Sequence, residues 1–181
     1  MQSKRVSIAR LCSPTYKVSC HYLIDRDGEV TQMVDDKKIA WHAGKSKWKN
    51  IKNLNGKSIG IELVNKGHDL KYEKFRKIQI TKLIKLCLYL KKKYKINKSC
   101  ILGHSDIAPL RKKDPGEKFP WLFLSRKGLG LWHQKKIVKF KNLSKKKKRD
   151  LLFSNLFKIG YRYFNKKTSS KKDKLVLKAF Q

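Results

Sequence analysis

The chain has 181 residues and carries a formal net charge of +34 at pH 7. This length suits one packed domain with a small appendage, and the 40% of hydrophobic residues suffices for a core. No apolar run approaches the length of a membrane span, and no apolar segment follows the charged N-terminus as in a signal peptide. The charge favours anionic partners, but lysine is spread along the whole chain, so a lysine-biased composition explains it more simply.

The four cysteines form neither a CxxC pair nor an obvious disulfide framework. Cys87 and Cys100 lie in apolar runs and are interpreted as small core residues, a pattern that leans towards a reducing compartment. The chain contains no helix-turn-helix, zinc-finger or RNP pattern, so we expect no specific nucleic-acid partner.

The first half of the chain predicts extended structure. Residues 18–24 and 29–34 have strand composition and flank a turn that ends in Asp27-Gly28, which predicts a β-hairpin. Residues 57–64 predict a buried strand that contains one acid, Glu62. A buried acid is costly unless it is paired or functional, and both interpretations stay open here.

The second half predicts mainly helices. Residues 72–94 are the longest helix candidate, because apolar residues recur near helical spacing between lysines. Residues 99–102 predict a short strand. Residues 119–124 begin a short helix, and the glycines at 128 and 130 end it.

Beyond His133 the composition changes. Lysine runs at 135–136 and 145–149 predict a solvated linker and helix face. Amphipathic segments at 151–159 and 174–180 predict a small helical appendage, too short to hold a core alone.

The loop at residues 103–116 is the most informative segment. It places a histidine, two carboxylates and three cations between glycines and prolines, directly after a predicted strand. Loops at strand ends often carry binding and catalytic groups. His104 and Asp114 are residue types that bind zinc, and the prolines allow the loop to fold back between them. A solvated basic turn is the alternative interpretation.

A hydrolytic zinc site needs three protein ligands and an open position for water. His104 and Asp114 would supply two of these ligands. The neighbouring cations, Arg111 and Lys112 among them, would stabilise an oxyanion. Glu62 would act on the water as a general base, and its alternative role is to pair with a lysine or a backbone donor.

Several sequence blocks occur in an order that is specific, although each block alone would be weak evidence. These blocks are residues 18–24, Ala40-Trp41-His42-Ala43-Gly44, Leu54-Asn55, Ser58-Ile59-Gly60-Ile61-Glu62, the 103–116 loop, Phe119-Pro120-Trp121 and residues 128–132. Together they resemble the zinc-dependent N-acetylmuramoyl-L-alanine amidases, the family that also contains the peptidoglycan recognition proteins. The resemblance covers roughly residues 1–133.

The resemblance implies an α/β fold in which a mixed central β-sheet is flanked by helices. It implies an amidase domain at residues 1–133, Zn2+ as the cofactor and peptidoglycan or a muropeptide as the substrate. The bond cut would be the amide between N-acetylmuramic acid and L-alanine. Residues 134–181 are interpreted as a linker and part of a helical module similar to the peptidoglycan-binding module of some relatives.

Catalytic roles follow from the resemblance position by position. His104 and Asp114 match two zinc ligands. Glu62 matches the acid that assists the attacking water, and Lys112 matches the cation that stabilises the tetrahedral oxyanion.

Substrate-binding roles follow in the same way. Arg111 matches a residue of the substrate rim, and Trp41, His42 and Gly44 match a loop that shapes the cleft. For His42, substrate contact and a structural role both stay open.

One part of the family pattern is missing. The family's first zinc ligand is a histidine that ends the first core strand, and in relatives that segment lies just upstream of where Met1 falls. We therefore expect Met1 to be an internal methionine of a longer reading frame, or the gene to be truncated. His21 is expected to pack or to hydrogen-bond and not to replace the ligand. The alternative function is a catalytically impaired, peptidoglycan-binding relative.

The resemblance leaves the compartment open between two places. The binding-type module favours the cell envelope, in the periplasm or at the outer membrane, and the unpaired cysteines favour the cytoplasm. We expect a monomer.

Overall fold

The computed structural model describes residues 3–133, 143–165 and 170–180. Its helices are α1 (Lys4–Cys12), α2 (Lys77–Lys93), α3 (His104–Ile107), α4 (Trp121–Arg126), α5 (Lys145–Ile159) and α6 (Lys171–Phe180). Its strands are β1 (Tyr22–Ile24), β2 (Val30–Gln32), β3 (Lys47–Trp48), β4 (Ile51–Lys52) and β5 (Ile61–Leu63). Short 3-10 turns lie at Pro14–Tyr16, Leu54–Lys57, His68–Leu70 and Lys98–Cys100.

A three-stranded mixed sheet lies at the centre, in the order β2-β1-β5. Strand β1 is antiparallel to β2, where Leu23 faces Thr31, and parallel to β5, where Leu23 faces Glu62. The predicted hairpin and the predicted strand at 57–64 are therefore confirmed, although each strand is only three residues long. The mixed sheet with flanking helices confirms the expected α/β class.

Helices cover both faces of this sheet. Neighbouring residues of a strand point to opposite sides, so Leu23 and Ile24 pack against different helices. Leu23 packs in a cluster with Leu11 of α1, while Ile24 packs with Ile80 and Leu83 of α2. Buried Gln79 also joins α2 to the sheet, since its side-chain amide donates to the carbonyls of Ile24 and Val64, each at 3.1 Å. Helix α1 was not expected from the sequence.

The long helix begins later than its apolar periodicity predicts. It starts at Lys77 because Lys71 has a left-handed φ of 61° and Arg76 is extended. Phe75 nevertheless packs against the core from this non-helical segment. The periodicity therefore included a core residue that lies outside the helix.

The strand predicted at residues 99–102 is wrong. Lys98–Cys100 is a 3-10 turn instead, because the Asn97 side chain accepts a hydrogen bond from the backbone N–H of Ser99. Cys100 is consequently exposed and not a core residue, whereas Cys87 is buried as predicted.

The C-terminal helices share a hydrophobic core with the first part of the chain. Phe153 and Leu156 of α5 and Val176 of α6 pack in one cluster with Trp48 of β3 and Ile107 of α3. The two predicted amphipathic segments are thus confirmed as helices. Within the three described ranges, no helix is both long and apolar enough to cross a membrane.

A buried carboxylate joins β1 to the end of α2. Asp36 Oδ1 accepts a hydrogen bond from the Tyr22 hydroxyl at 2.6 Å, and Oδ2 accepts from Lys93 Nζ at 2.9 Å and from the Tyr94 hydroxyl at 2.8 Å. The Asp36 side chain is 4% exposed. Burial alone would raise the pKa of Asp36, but the three donors together lower it below 3.8.

We expect Asp36→Asn to lower the free energy of unfolding by about 1–3 kcal/mol at pH 7, because its amide cannot satisfy all three donors. The folded-state pKa of Asp36 is lowered, so its contribution is present at neutral pH and is lost as the pH falls through that value. Urea denaturation from pH 7 to pH 3 should therefore show the difference from wild type shrinking on acidification. Asp69→Asn, at an exposed position, is the control.

Candidate functional site

The first turn of α3 fixes where His104 lies. His104 is the first residue of this helix, and the backbone N–H of Gly103 before it donates to Asp106 Oδ2 at 2.7 Å. A side chain that reaches back in this way satisfies a backbone donor that has no partner within the helix. The start of α3, and with it the His104 backbone, is therefore set locally.

The loop after α3 folds back, as its prolines predict. The backbone N–H of Ser105 donates to the Asp114 carbonyl at 2.8 Å, and His104 Nδ1 lies 3.1 Å from Asp114 Oδ2. The Asp114 side chain is 56% exposed, and the partial loss of hydration that remains opposes its ionisation. The hydrogen bond from His104 and the charge of Lys112 nevertheless hold the pKa of Asp114 below the usual range. The ten-residue spacing thus brings the two predicted ligands side by side.

On its other side, His104 faces the loop at residues 40–45. His104 Nε2 lies 3.2 Å from the Ala43 carbonyl and 3.3 Å from Arg111 Nη2. Arg111 also donates to the Ala43 carbonyl, and through Nε to the Lys45 carbonyl at 3.1 Å. Gly44 has a φ of 55°, and a Cβ there would lie 2.9 Å from Arg111 Nη2. Arg111 and Gly44 are therefore adjacent to the predicted ligand.

Asn55 holds this same loop. Its Oδ1 accepts hydrogen bonds from the backbone N–H groups of Ala43 at 2.7 Å and of Gly44 at 3.1 Å. Asn55 thus holds the N–H groups of the loop, while Arg111 holds its carbonyls. Asn55 was noted in the sequence only as part of a matching block, without a role.

The aromatic residues of the loop differ in exposure. Trp41 is 54% exposed, and its backbone N–H donates to Ser19 Oγ at 2.8 Å. His42 lies 3.3 Å from the Ser58 carbonyl, and burial lowers its pKa to about 4, so its ring is neutral at pH 7. The ring also fills the space beside Gly60, where a Cβ would lie 2.2 Å from it. These contacts favour the structural role for His42, while its contact with substrate stays a prediction.

His21 behaves as predicted. It is buried, its Nδ1 accepts from the backbone N–H of Gly60 at 3.0 Å, and its Nε2 lies 3.0 Å from the Lys38 carbonyl. Both ring nitrogens are therefore used in holding the backbone.

Glu62 brings a second carboxylate to the site from the middle of β5. Burial raises the pKa of Glu62 above its usual range, the charge of Asp114 raises it further, and His104 and Lys112 oppose the shift. Among the described residues, no donor hydrogen-bonds the Glu62 side chain, so the pairing considered as its alternative role is not observed there. Glu62 therefore lies within electrostatic range of His104, Lys112 and Asp114, the other residues predicted to act in catalysis or metal binding.

The geometry of His104 and Asp114 can be compared with that of two ligands of one metal ion. In a tetrahedral zinc site with ligand distances of about 2.0–2.1 Å, neighbouring ligand atoms lie about 3.3 Å apart. The 3.1 Å between His104 Nδ1 and Asp114 Oδ2 suits two such corners. Residues 3–133, 143–165 and 170–180 contain no group of three or more His, Cys, Asp or Glu residues that could hold a metal ion. The residues described therefore do not complete a three-ligand zinc site.

Comparison with known proteins gives one family. The family model of N-acetylmuramoyl-L-alanine amidase matches residues 1–117. The N-acetylmuramoyl-L-alanine amidase AmiD of Escherichia coli K12 is 39% identical over 136 residues, which are 68% of this chain and 49% of AmiD. The 1,6-anhydro-N-acetylmuramyl-L-alanine amidase AmpD of Haemophilus influenzae is 42% identical over 106 residues, 58% of this chain and 55% of AmpD. The chain thus spans about half the length of these relatives.

A solved structure extends the likeness to the C-terminal helices. The complex of E. coli AmiD with anhydro-N-acetylmuramic acid-L-Ala-D-gamma-Glu-L-Lys matches with a TM-score of 0.85 at 31% sequence identity. The match covers 99% of this chain and 75% of that chain. The arrangement of the helices after residue 143 is therefore part of the shared fold.

We expect Asn55→Ala to lower the free energy of unfolding by about 1–3 kcal/mol, because it leaves two backbone donors without their acceptor. Asn55→Asp keeps an oxygen at this position and should retain most of the stability. Chemical denaturation measures the difference. Asn50→Ala, in an exposed turn, is the matched control. Equal stability of Asn55→Ala and Asn50→Ala would contradict the role given to Asn55.

Proposed function

Because this chain belongs to the N-acetylmuramoyl-L-alanine amidase family, we propose that it hydrolyses the amide between N-acetylmuramic acid and L-alanine in muropeptides or peptidoglycan. The observation that carries the proposal is the convergence of Glu62 from β5 with His104, Lys112 and Asp114 from one closed loop. Support for the substrate class comes from the muropeptide bound to the E. coli relative.

Glu62 acts as the general base in this proposal. It takes a proton from the water that attacks the carbonyl carbon, and the same proton then goes to the nitrogen of L-alanine as the C–N bond breaks. A carboxyl with a raised pKa suits both steps, because a catalytic group works best with a pKa near the working pH.

Lys112 stabilises the charge that develops on the carbonyl oxygen. Its ammonium group lies close enough to Glu62 and Asp114 to lower the pKa of both carboxyl groups. A cation held in place before the reaction stabilises a tetrahedral oxyanion without further reorganisation. The rim of the proposed cleft is formed by Arg111, Trp41, His42 and Gly44.

Zn2+ is the proposed cofactor, with His104 and Asp114 as two of its ligands, and the family is generally zinc-dependent. When bound, such an ion polarises a carbonyl and lowers the pKa of water. Since the described residues supply only two ligands, the steps above are derived from the side chains alone.

A second candidate function is a peptidoglycan-binding relative with impaired catalysis. The part of the chain that the structure describes supplies only two of the expected ligands, which favours this function, because two side chains are expected to hold zinc more weakly than three. The proposed cleft would then bind a muropeptide without cutting it.

The proposed location is the cell envelope, where intact peptidoglycan lies. The four cysteines, all of them free, suit a reducing compartment better, which makes the cytoplasm and its recycled muropeptides the alternative.

We expect zinc binding by this chain to depend on Asp114. Asp114→Ala should reduce bound zinc to background, measured as metal per chain after equilibrium dialysis, because one of two ligands is lost. Asp69→Ala is the control at an exposed position. Retention of zinc by Asp114→Ala at the wild-type level would show that the ligand assignment is wrong. If the wild-type chain binds muropeptide but no zinc, the second candidate function is supported.

We expect Glu62→Gln to lower kcat by about 100- to 10,000-fold, the range typical of a lost general base. The release of L-alanine-terminated peptide from a muropeptide measures it. In the wild type, kcat should fall as the pH drops through the folded-state pKa of Glu62, which lies above its ordinary value of 4.5, because the base must be ionised.

Lys112→Met should lower kcat by about 100- to 1000-fold, as when an oxyanion stabiliser is removed. Lys113→Met is the matched control, since it removes an equal charge at the next, exposed position. Equal losses in the two variants would mean that only the general positive charge of the loop matters.

A further inference from the structure

A buried hydrogen bond connects the C-terminal part of the chain to the loop at residues 103–116. The Tyr161 hydroxyl donates to Asp106 Oδ1 at 2.5 Å, while the Gly103 backbone N–H donates to Oδ2 of the same carboxylate at 2.7 Å. Asp106 lies two residues after His104, in the first turn of α3. One carboxylate is therefore shared between the turn that starts at His104 and a tyrosine 55 residues further along.

The Tyr161 hydroxyl is held in a fixed place. The residue is 4% exposed, and its ring packs edge-on against Trp48 with centroids 5.0 Å apart. Its backbone N–H donates to the Leu156 carbonyl at 3.0 Å, and the carbonyl of the preceding Gly160 accepts from the backbone N–H of Lys49 at 2.9 Å. A hydroxyl held by its own ring and backbone restricts the positions that its acceptor can take.

The hydrophobic contacts point in the same direction. Ile107 and Ala108, at the end of α3, pack in the cluster that contains Leu156 and Val176 of the C-terminal helices. Hydrophobic packing has no preferred direction, so it presses α3 and these helices together without fixing the rotation of α3. A hydrogen bond to a carboxylate is directional and adds that orientation.

We infer that Tyr161 is a positioning residue: through Asp106 it fixes the orientation of the α3 turn that carries His104. This inference rests on the proposed amidase function for its effect on turnover. It gives the segment after α5 a role in hydrolysis that is separate from any binding of peptidoglycan by the C-terminal part of the chain.

Tyr161→Phe tests the inference, with Tyr163→Phe as the matched control. The Tyr163 hydroxyl is also buried, but it has no hydrogen-bond partner among the described residues. We expect Tyr161→Phe to lower kcat for muropeptide hydrolysis about tenfold or more while KM stays within about twofold, as a lost hydrogen bond to a charged group predicts. Tyr163→Phe should keep both constants within about twofold. Because partial unfolding would also lower the apparent kcat at unchanged KM, kcat is calculated per folded chain, with the folded fraction of each variant taken from urea denaturation. An unchanged kcat in Tyr161→Phe overturns the inference.

Hydrogen exchange separates this inference from the proposed function. If the wild-type chain hydrolyses no muropeptide, the amidase proposal fails. Exchange at the Gly103 amide then tests whether Tyr161 holds the α3 turn in place. We expect this amide to exchange at least fivefold faster in Tyr161→Phe than in Tyr163→Phe, because loss of the hydroxyl loosens its acceptor Asp106. Equal exchange in the two variants overturns the inference.

Asp106→Asn covers the case in which Tyr161→Phe does not fold. The amide keeps one oxygen for two donors, so the link is weakened from the other side, and the same fall in kcat and rise in Gly103 exchange are expected. Wild-type values for both quantities in Asp106→Asn overturn the inference.

Discussion

The closure of the loop at residues 103–116 is the constraint on which the candidate site depends. One backbone hydrogen bond, from Ser105 to the Asp114 carbonyl, brings the two ends of the loop together. His104 and Asp114 then lie in contact, and Lys112 is carried to within electrostatic range of both Asp114 and Glu62. Without this closure the loop would be the solvated basic turn that its composition also allows. Its chemistry is therefore a consequence of backbone geometry.

A second constraint comes from the sheet. Glu62 lies in the middle of β5, which is parallel to β1 and placed by the packing of Leu23 and Ile24 against helices on opposite faces. A carboxylate in such a position loses hydration, and the nearby Asp114 charge makes ionisation harder still. The cations around it reduce this cost without removing it. A rigid strand and a closed loop thus place an acid of raised pKa among groups suited to stabilise negative charge.

Local patterns in the sequence predicted the elements whose causes are local. The Asp27-Gly28 turn predicted the hairpin, and the apolar periodicities predicted α2, α5 and α6. The strand at 99–102 failed because Asn97 caps a turn there, and a side-chain cap of this kind competes with extended structure without changing hydropathy. Residue types and ordered blocks singled out His104 and Asp114, and the structure brings the two side chains into contact, while their role as zinc ligands stays a prediction. Asn55 and Tyr161 were not found, because their roles rest on contacts with residues 11 and 55 positions away in the chain.

The amino-acid composition changes beyond His133, yet one hydrophobic core contains residues from both sides of this position. Trp48 and Ile107 lie in the same cluster as Phe153 and Val176, so neither side has its full core without the other. A helical segment too short to fold alone gains stability from this shared core, and the N-terminal part of the chain gains a fixed neighbour beside α3. Because helices held in this way keep a constant orientation, the residues that directly follow them are held in place as well, and Tyr161 lies two residues after the end of α5. Tyr161, buried against Trp48 and bonded to Asp106, has the position that a role in orienting α3 requires.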